Sequence, residues 1–385
     1  MLQSKSRAWL QVDGDAVRHN LKEIKKLIPE TTEIMAVVKA NCYGHGDRQL
    51  SMLMQQEGIK TFAVSSVDEA LNLREAGISG EILILGYTPK EHFHYLHEKQ
   101  LLQNFLSLDY ASQLDEYAAL HHVVIRGHIK IDTGMARLGI RCLDDDYNIQ
   151  EVFEIYKLQH LSVQGLFSHF SVADSLEVED DRAYTIHQRE LFDQVIADVL
   201  QAGLNPGKLH LQNSYGVLNY PELCYDYVRP GILMLGFTSD DSISINTSPE
   251  FIPAMSLYAE VSRVRLVKKG CSVGYGRHYK AKEDRLIATV SIGYADGIPR
   301  AASNQGMQVL LHSQRAEIVG NICMDQLMID VTGIEHVKSG DIVTLIGQDG
   351  NERVTIDEWS RCVHTINNDL VCQISARVPR FYEHF

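Results

Sequence analysis

The sequence lacks the features that mark membrane, secreted and nucleic-acid-binding proteins. No apolar run reaches the roughly 18 residues that cross a membrane, and the N-terminal stretch MLQSKSRAWLQVDGD has no secretory apolar core. The seven cysteines are scattered and never spaced as CxxC, which argues against a disulfide framework and a structural zinc site. A net charge of −14 without a Lys/Arg-rich block argues against a nucleic-acid partner. We therefore expect a cytoplasmic protein, or the cytoplasmic part of a longer membrane-anchored chain, with no membrane contact of its own.

With 385 residues, of which 45% are apolar, the chain has enough material for two domains. Its first part alternates short apolar runs with amphipathic stretches that have helical periodicity, such as 13–28, 67–77 and 181–203. The apolar runs are eight candidate strands: 33–41, 61–67, 81–87, 101–108, 123–132, 161–170, 208–214 and 225–236. The run 101–108 would suit either a helix or a strand. Eight strands joined by helices predict a parallel (β/α)8 barrel of the TIM type, because parallel strands need crossover connections.

From about residue 245 the pattern changes to β-rich runs separated by glycine- or charge-marked turns, with little helix between them. The one late helical pattern is TIDEWSRCV, in which Thr355 and Glu358 have the spacing of a capping box. The sequence thus predicts an α/β protein, with a barrel over residues 1–240 followed by a mainly antiparallel β domain over residues 241–385.

Polar residues follow several apolar runs at the point where each run ends. These residues are Lys39, Lys130, His169, Asn213 with Ser214, and Arg229. A single lysine at a strand end usually extends its amine to solvent, but the carboxyl ends of barrel strands share one rim, where active sites form. Five such groups on one rim therefore predict a catalytic basin.

Two stretches on this rim, NS at 213–214 and RPGI at 229–232, follow the last two strands, where this architecture often binds phosphate. Gly231 allows backbone amides to approach an anion closely. A lysine that can form a Schiff base, here Lys39, together with a phosphate site predicts pyridoxal 5'-phosphate as the cofactor.

A set of motifs that spans nearly the whole chain, in order, resembles the alanine racemase family of pyridoxal phosphate enzymes. The motifs are AVVKANCYGHG, HIKIDTGMARLG, GLFSHF, QNS, VRPGI, SVGYG, SIGYADG, NICMDQLMIDV and ISARVPR. The resemblance implies an amino-acid racemase that acts as a homodimer with shared active sites on a small amino-acid substrate, and that supplies D-amino acids for peptidoglycan precursors.

The resemblance also implies roles for individual residues. Lys39 would hold the cofactor and act as one catalytic base, and Tyr275 of a partner subunit would be the second base. Cofactor contacts would come from Tyr43, Arg137, His169, Asn213, Ser214, Arg229 and the backbone of Gly231 and Ile232. The substrate would contact Arg137, the partner's Met324 amide, Tyr294 on the access route and Asn368, and Lys130 would be a carbamylated lysine.

The chemistry of racemisation is consistent with these assignments. A proton must leave one face of the α-carbon and return to the other, and one base on each face is the simplest arrangement. The reference pKa values of lysine and tyrosine are both about 10, and a cationic neighbourhood that includes Arg229 and Arg137 lowers both. An arginine at the pyridine nitrogen cannot readily give up a proton, so the ring stays neutral and stabilises the substrate carbanion less. A short-lived carbanion is reprotonated rather than diverted into side reactions.

Three positions depart from the family pattern. Asn368 stands where a tyrosine is usual, Asn321 replaces an arginine, and Ala136 replaces a glycine. The asparagine at 368 makes room beside the substrate and adds an amide that can donate and accept hydrogen bonds. The same substitution resembles the catalytic domains of membrane-linked serine racemases of vancomycin resistance. We therefore expect racemisation of both serine and alanine.

Several alternatives remain open at this point. The nearest is a biosynthetic alanine racemase in which Asn368 has no consequence; less favoured are a pyridoxal phosphate decarboxylase, a non-catalytic cofactor-binding protein and a scaffold. The histidines of HFHYLH, at 92, 94 and 97, lack matching carboxylates, so we interpret them as a solvated helix face and expect no metal site.

Overall fold

The computed structural model describes residues 5–385, and its first eleven strands lie in the N-terminal part of the chain. They are β1 (Ala8–Asp13), β2 (Glu33–Val37), β3 (Thr61–Val64), β4 (Glu81–Ile84), β5 (Leu102–Phe105), β6 (Ile125–Asp132), β7 (Ile140–Leu143), β8 (Asp146–Tyr147), β9 (Leu161–Phe167), β10 (Lys208–His210) and β11 (Tyr227–Val228). Eight of them form a parallel barrel in the order β5-β4-β3-β2-β11-β10-β9-β6, which closes where β5 pairs with β6. All eight predicted barrel strands are confirmed, including the ambiguous run at 101–108, and β7 and β8 extend the sheet from β6.

Helices connect the barrel strands, as parallel pairing requires. The helical segments are α1 (Gly14–Leu27), α2 (Lys39–Tyr43), α3 (Asp47–Gln56), α4 (Val67–Glu75), α5 (Phe93–Glu98), α6 (Leu108–His121), α7 (Ile149–Lys157), α8 (Glu179–Gln201), α9 (Ser214–Asn219), α10 (Ile356–Val363) and α11 (Asn367–Gln373). The predicted helices at 13–28, 67–77 and 181–203 correspond to α1, α4 and α8. Capping fixes where some begin, since the Asp13 and Ser66 side chains accept hydrogen bonds from the first turns of α1 and α4.

The barrel interior has an apolar half and a polar half. Strands β2 to β5 contribute an apolar cluster of Met35, Val37, Ala63, Leu83 and Leu102. The opposite half holds buried His128, Lys130, Phe167, His210 and Arg229 in contact with one another. Burying polar and basic groups costs free energy unless they are hydrogen-bonded or have a function. We therefore expect the functional site in this half of the barrel.

A second sheet is built from the C-terminal residues and is mainly antiparallel, as predicted. Its strands, with the separate hairpin β13–β14, are β12 (Met255–Val267), β13 (Ser272–Val273), β14 (Tyr279–Lys280), β15 (Arg285–Val290), β16 (Gln308–Leu311), β17 (Gln314–Glu317), β18 (Leu327–Asp330), β19 (Ile342–Asp349), β20 (Glu352–Val354) and β21 (Arg380–Glu383). The capping box of α10 is confirmed, because Thr355 and Glu358 exchange side-chain to backbone hydrogen bonds of 3.2 and 3.1 Å.

The N-terminal strand β1 lies in this second sheet, although it precedes the barrel in sequence. It pairs antiparallel with β12 and parallel with β21. The predicted domain boundary between residues 240 and 241 therefore stays a proposal. Residues 8–13, which were predicted to lie in the barrel domain, form a strand of the second sheet.

Within residues 5–385, no helix combines the length and the apolar character needed to cross a bilayer. The three histidines at 92–97 do not converge on a common point. The ligand atoms that do lie close together in this range belong to Asp13, Asp15 and His384, on or near the surface.

Candidate active site

A cavity of about 680 Å³ opens at the carboxyl ends of the barrel strands. It is lined by eleven of the residues proposed from the sequence: Lys39, Tyr43, Lys130, Arg137, His169, Asn213, Ser214, Arg229, Gly231, Ile232 and Asn368. Helix α11 brings Asn368 and Cys372 to the cavity from the C-terminal part of the chain. The rim predicted from strand ends is therefore a real concavity, and α11 forms part of its wall.

Lys39 enters the cavity where β2 ends and α2 begins. Burial and the nearby Arg137 guanidinium lower its pKa below the ordinary lysine value, against a smaller opposing effect of the Glu69 carboxylate. That carboxylate also accepts a 2.7 Å hydrogen bond from the Ala40 amide and so fixes the backbone beside the lysine. A lysine with a lowered pKa is more often neutral, and the neutral amine is the form that attacks a carbonyl or accepts a proton.

Arg229 is buried and bonded only to neutral groups. Its guanidinium donates to the His210 ring at 2.7 Å, to the Ser168 and Leu211 carbonyls at 2.6 and 2.9 Å, and to the His169 ring at 3.1 Å. Burial, followed by the Arg229 charge, keeps the pKa of His169 and of His210 well below the ordinary histidine value, so both rings are neutral acceptors. Burial, and then the Arg137 charge, lower the pKa of Arg229 to about 9, which is still above neutral pH, so the guanidinium stays charged and four hydrogen bonds fix its position.

Lys130 is buried on β6 in a basic environment. Its amine lies 4.8 Å from the centre of the Phe167 ring. Burial, and then the charges of Arg229 and Arg137, hold the pKa of Lys130 well below the ordinary lysine value, and Asp132 opposes this only in part. These surroundings thus favour the neutral amine over the ammonium.

Donors for a phosphate converge around Gly231. A Cβ atom at Gly231 would lie 2.1 Å from the Tyr43 hydroxyl oxygen, so glycine is required by close approach. The Gly231 amide lies 3.2 Å from the Ser214 hydroxyl. The Asn213 side chain lines the same cavity but caps α9, since it accepts a hydrogen bond from Gly216. Two hydroxyls and a backbone amide, in the cavity that Lys39 and Arg229 also line, fit a phosphorylated pyridoxal.

Two asparagine side chains at the cavity have an unpaired acceptor. The Oδ1 atoms of Asn368 and Asn104 are buried and have no hydrogen-bond partner in the described residues. Asn104, on β5, is 1% exposed and donates through Nδ2 to the Leu85 carbonyl at 2.7 Å. Asn104 was not among the residues predicted from the sequence. The sequence feature that could have identified it is a polar residue two positions after Leu102, and therefore on the same inward face of the strand. Both amides can accept a hydrogen bond from a bound hydroxyl or water.

Three predicted residues lie outside this cavity. Tyr275, Tyr294 and Met324 are all on the C-terminal part and are 72%, 40% and 52% exposed. Tyr275 begins a short 3-10 turn between the strands of the β13–β14 hairpin. Its carbonyl accepts a 2.8 Å hydrogen bond from Asn321, the residue that replaces the family's usual arginine. One chain therefore does not bring Tyr275 to Lys39.

Backbone hydrogen bonds hold Tyr294 and Met324 beside each other. The amides of Tyr294 and Ala295 donate to the carbonyls of Cys323 and Met324, each at 3.0 Å. These two exposed side chains thus form one surface rather than two isolated positions, as a shared interface would require.

Comparisons with known proteins give a consistent result. The family profiles "Alanine racemase, N-terminal domain" and "Alanine racemase, C-terminal domain" match residues 12–239 and 254–382. The chain is 38% identical to the alanine racemase of Methanococcus maripaludis, over 98% of both chains. It is also 37% identical to a protein named amino-acid racemase of Enterococcus faecalis, over 97% of this chain and 51% of that one.

Solved structures agree. Alanine racemase from Clostridium difficile superposes with a TM-score of 0.91 at 33% identity and covers 99% of this chain and 97% of its own. Histidine racemase from Leuconostoc mesenteroides superposes with a TM-score of 0.87 at 30% identity, with 99% of each chain covered.

Proposed function

The chain belongs to the alanine racemase family, whose members are pyridoxal phosphate-dependent isomerases, and from this premise we propose that it racemises serine as well as alanine. The racemase activity and the cofactor follow from the family. The acceptance of serine goes beyond the family activity and rests on the unpaired Oδ1 atom of Asn368.

The residues around the cavity suit the cofactor in the following roles. When bound, pyridoxal phosphate withdraws electrons from the substrate α-carbon and makes its proton removable. Lys39 would hold the aldehyde carbon covalently, and Tyr43, Ser214 and the amides of Gly231 and Ile232 would hold the phosphate. His169 and Asn213 would border the ring, and Arg229 would donate to its nitrogen while keeping its own proton.

Two bases on opposite faces of the α-carbon carry the proton transfer. Lys39, with its lowered pKa, takes or returns the proton on one face. Tyr275 serves the other face from a second copy of the chain, because its own subunit leaves it exposed and outside the cavity. The Met324 amide and Tyr294, on the same exposed surface, then complete the site in a head-to-tail homodimer.

Arg137 orients the substrate carboxylate and is itself held by Lys130 as a carbamate. A neutral amine reacts with carbon dioxide, and the burial of Lys130 favours this neutral form by lowering its pKa. The carbamate anion would offset the charges of Arg137 and Arg229 in a cavity wall that is otherwise rich in cations.

The Asn368 side chain carries the serine proposal. Its buried Oδ1 atom lacks a partner and lines the cavity, so a substrate hydroxyl can donate to it. A methyl side chain leaves the same acceptor without this partner, which disfavours alanine relative to serine without excluding alanine from the cavity. The name of one solved relative, a histidine racemase, indicates that this architecture is used with a substrate other than alanine.

Chiral chromatography of the loaded enzyme, given L-serine and L-alanine separately, tests the proposal. We expect D-serine as well as D-alanine, both absent in Lys39→Ala. In Asn368→Tyr, we expect serine turnover to fall about tenfold more than alanine turnover, because one hydrogen-bond acceptor is lost and the pocket narrows.

Asn368→Leu is the matched control for side-chain volume. It removes the hydrogen-bond acceptor, as Asn368→Tyr does, but does not narrow the pocket with an aromatic ring. It should lower serine turnover selectively too. Equal losses for both substrates in both variants would contradict the role of Asn368. D-alanine without D-serine from the unmodified enzyme would leave the second candidate, a biosynthetic alanine racemase.

We place the enzyme in the cytoplasm, where it supplies D-amino acids for peptidoglycan precursors. All seven cysteines lie within the described residues and all are free thiols, which suits a reducing compartment.

A further inference from the structure

The turn that follows Lys39 has an unusual backbone. Ala40, Asn41, Cys42 and Tyr43 all have positive φ angles, between +48° and +55°, and Gly44 continues with φ +79°. A left-handed conformation costs a non-glycine residue about 1–2 kcal/mol. Such a turn persists only when its surroundings hold it in place.

Arg380, the first residue of β21, holds the end of this turn from the C-terminal part of the chain. Its Nε and Nη2 atoms donate to the Gly44 carbonyl at 3.0 and 2.9 Å. The same guanidinium donates to the carbonyls of Ile374, Ser375 and Val378, each at 2.6 Å. All its partners are neutral backbone oxygens, so the planar guanidinium holds two backbone segments in a fixed arrangement rather than neutralising an acid.

The turn is also packed directly against α11 and β21. A Cβ atom at Gly44 would lie 2.1 Å from the Val371 carbonyl oxygen, and one at Gly46 would lie 1.8 Å from the Tyr382 hydroxyl oxygen. That hydroxyl donates to the His45 carbonyl at 3.2 Å. Because no space remains between these segments, a shift of the C-terminal residues would move the turn with them.

We propose that Arg380 is a positioning residue for the cofactor phosphate: it fixes the left-handed turn so that the Tyr43 hydroxyl stays at Gly231. The inference rests on the assignment of Tyr43 to the phosphate in the proposed function. Its consequence is that the C-terminal domain controls cofactor affinity in its own subunit, separately from any residue that it supplies to a partner.

The test compares the affinity of the apoenzyme for pyridoxal phosphate with its affinity for pyridoxal, which lacks the phosphate. Dissociation constants come from absorbance titration, and the ³¹P NMR signal of bound cofactor reports the phosphate environment. In Arg380→Lys, we expect pyridoxal phosphate to bind about tenfold more weakly, a shifted ³¹P signal, and an essentially unchanged affinity for pyridoxal.

Arg377→Lys is the matched control, since Arg377 lies in the same segment but pairs with Asp325 at 2.6 Å instead of the turn. It should leave both affinities unchanged. Tyr382→Phe is a milder variant that removes one bond to the turn, and it should weaken pyridoxal phosphate selectively even where Arg380→Lys does not fold.

Equal weakening of both ligands in Arg380→Lys and Tyr382→Phe, or no weakening of either, would overturn the proposal. Tyr43→Phe separates this result from the proposed function. It should show the same selective loss of pyridoxal phosphate affinity; if it does not, the phosphate role of Tyr43 fails and the proposal fails with it. The formation of D-serine is measured in a separate experiment, and its result does not depend on the outcome for Arg380.

Discussion

At the scale of single residues, Lys130 is the most unusual group in the molecule. It is 6% exposed, and Arg229 and Arg137 act on it as like charges. An isolated buried ammonium would be strongly destabilising, and a pKa well below the ordinary lysine value avoids that cost by leaving the amine neutral. The same neutrality makes the amine reactive towards carbon dioxide.

We predict that ¹³C-labelled bicarbonate produces a protein carbamate signal in the ¹³C NMR spectrum at pH 8. The neutral amine and carbon dioxide form the carbamate and release a proton, so acidification reverses the reaction. The signal should therefore disappear as the pH is lowered to about 5.5 and return at pH 8, since the amine titrates in this direction.

Lys130→Ala should lack this signal at every pH, whereas Lys99→Ala, at an exposed lysine, should retain it. A spectrum without a carbamate resonance at pH 8 in the unmodified protein would mean that Lys130 stays a free amine. Arg137 would then need another anion to orient it.

At the scale of elements, the loop between β6 and β7 shows how one substitution changes local strain. Asp132 accepts hydrogen bonds from the amides of Gly134 and Ala136, both at 3.0 Å, and these bonds shape the loop that carries Arg137. Ala136 has φ +54°, in the left-handed region that favours glycine. The family's usual glycine at this position is therefore explained by backbone conformation.

We predict that Ala136→Gly stabilises the folded protein by about 0.5–1 kcal/mol, because relief of left-handed strain exceeds the added flexibility of the unfolded chain. Urea-induced unfolding measures the change. Ala119→Gly, inside helix α6 with ordinary helical geometry, is the control and should destabilise by about 1 kcal/mol. Destabilisation in both variants would show that the loop is not strained.

At the scale of the whole molecule, the two sheets depend on each other. Strand β1 lies in the second sheet, although it precedes the first barrel strand in sequence. Arg7, just before it, donates two hydrogen bonds of 3.1 and 2.7 Å to buried Asp296. Burial would raise the pKa of Asp296, but the bonds from Arg7 and the Gly293 amide outweigh it and keep the carboxylate charged. The N-terminus thus ties the C-terminal domain to the barrel.

A complementation experiment tests whether active sites are shared between subunits. Lys39→Ala and Tyr275→Phe are each expected to be inactive as pure dimers. After the two are mixed and subunits exchange, half of the dimers contain one intact site, so about a quarter of the activity should return. Activity that does not recover, although mass spectrometry shows mixed dimers, would place both bases in one chain.

The sequence by itself determined the barrel and most of its rim. Short apolar runs alternating with helices define eight parallel strands, and in a barrel the carboxyl ends of such strands meet at one edge. The positions of Lys39, Lys130 and Arg229 in one cavity follow from this rule. Tyr275 was also placed correctly outside the barrel, because its β-rich surroundings differ in periodicity.

Only the tertiary structure decided the contacts between distant parts of the chain. The pairing of β1 with β12 and β21, the arrival of α11 at the cavity wall, and the bonds from Arg380 to Gly44 join residues that are hundreds of positions apart. Local periodicity carries no record of such pairs. The left-handed turn after Lys39 was equally hidden, since Ala40, Cys42 and Tyr43 have no intrinsic preference for it, and the C-terminal segment that packs against it is distant in sequence.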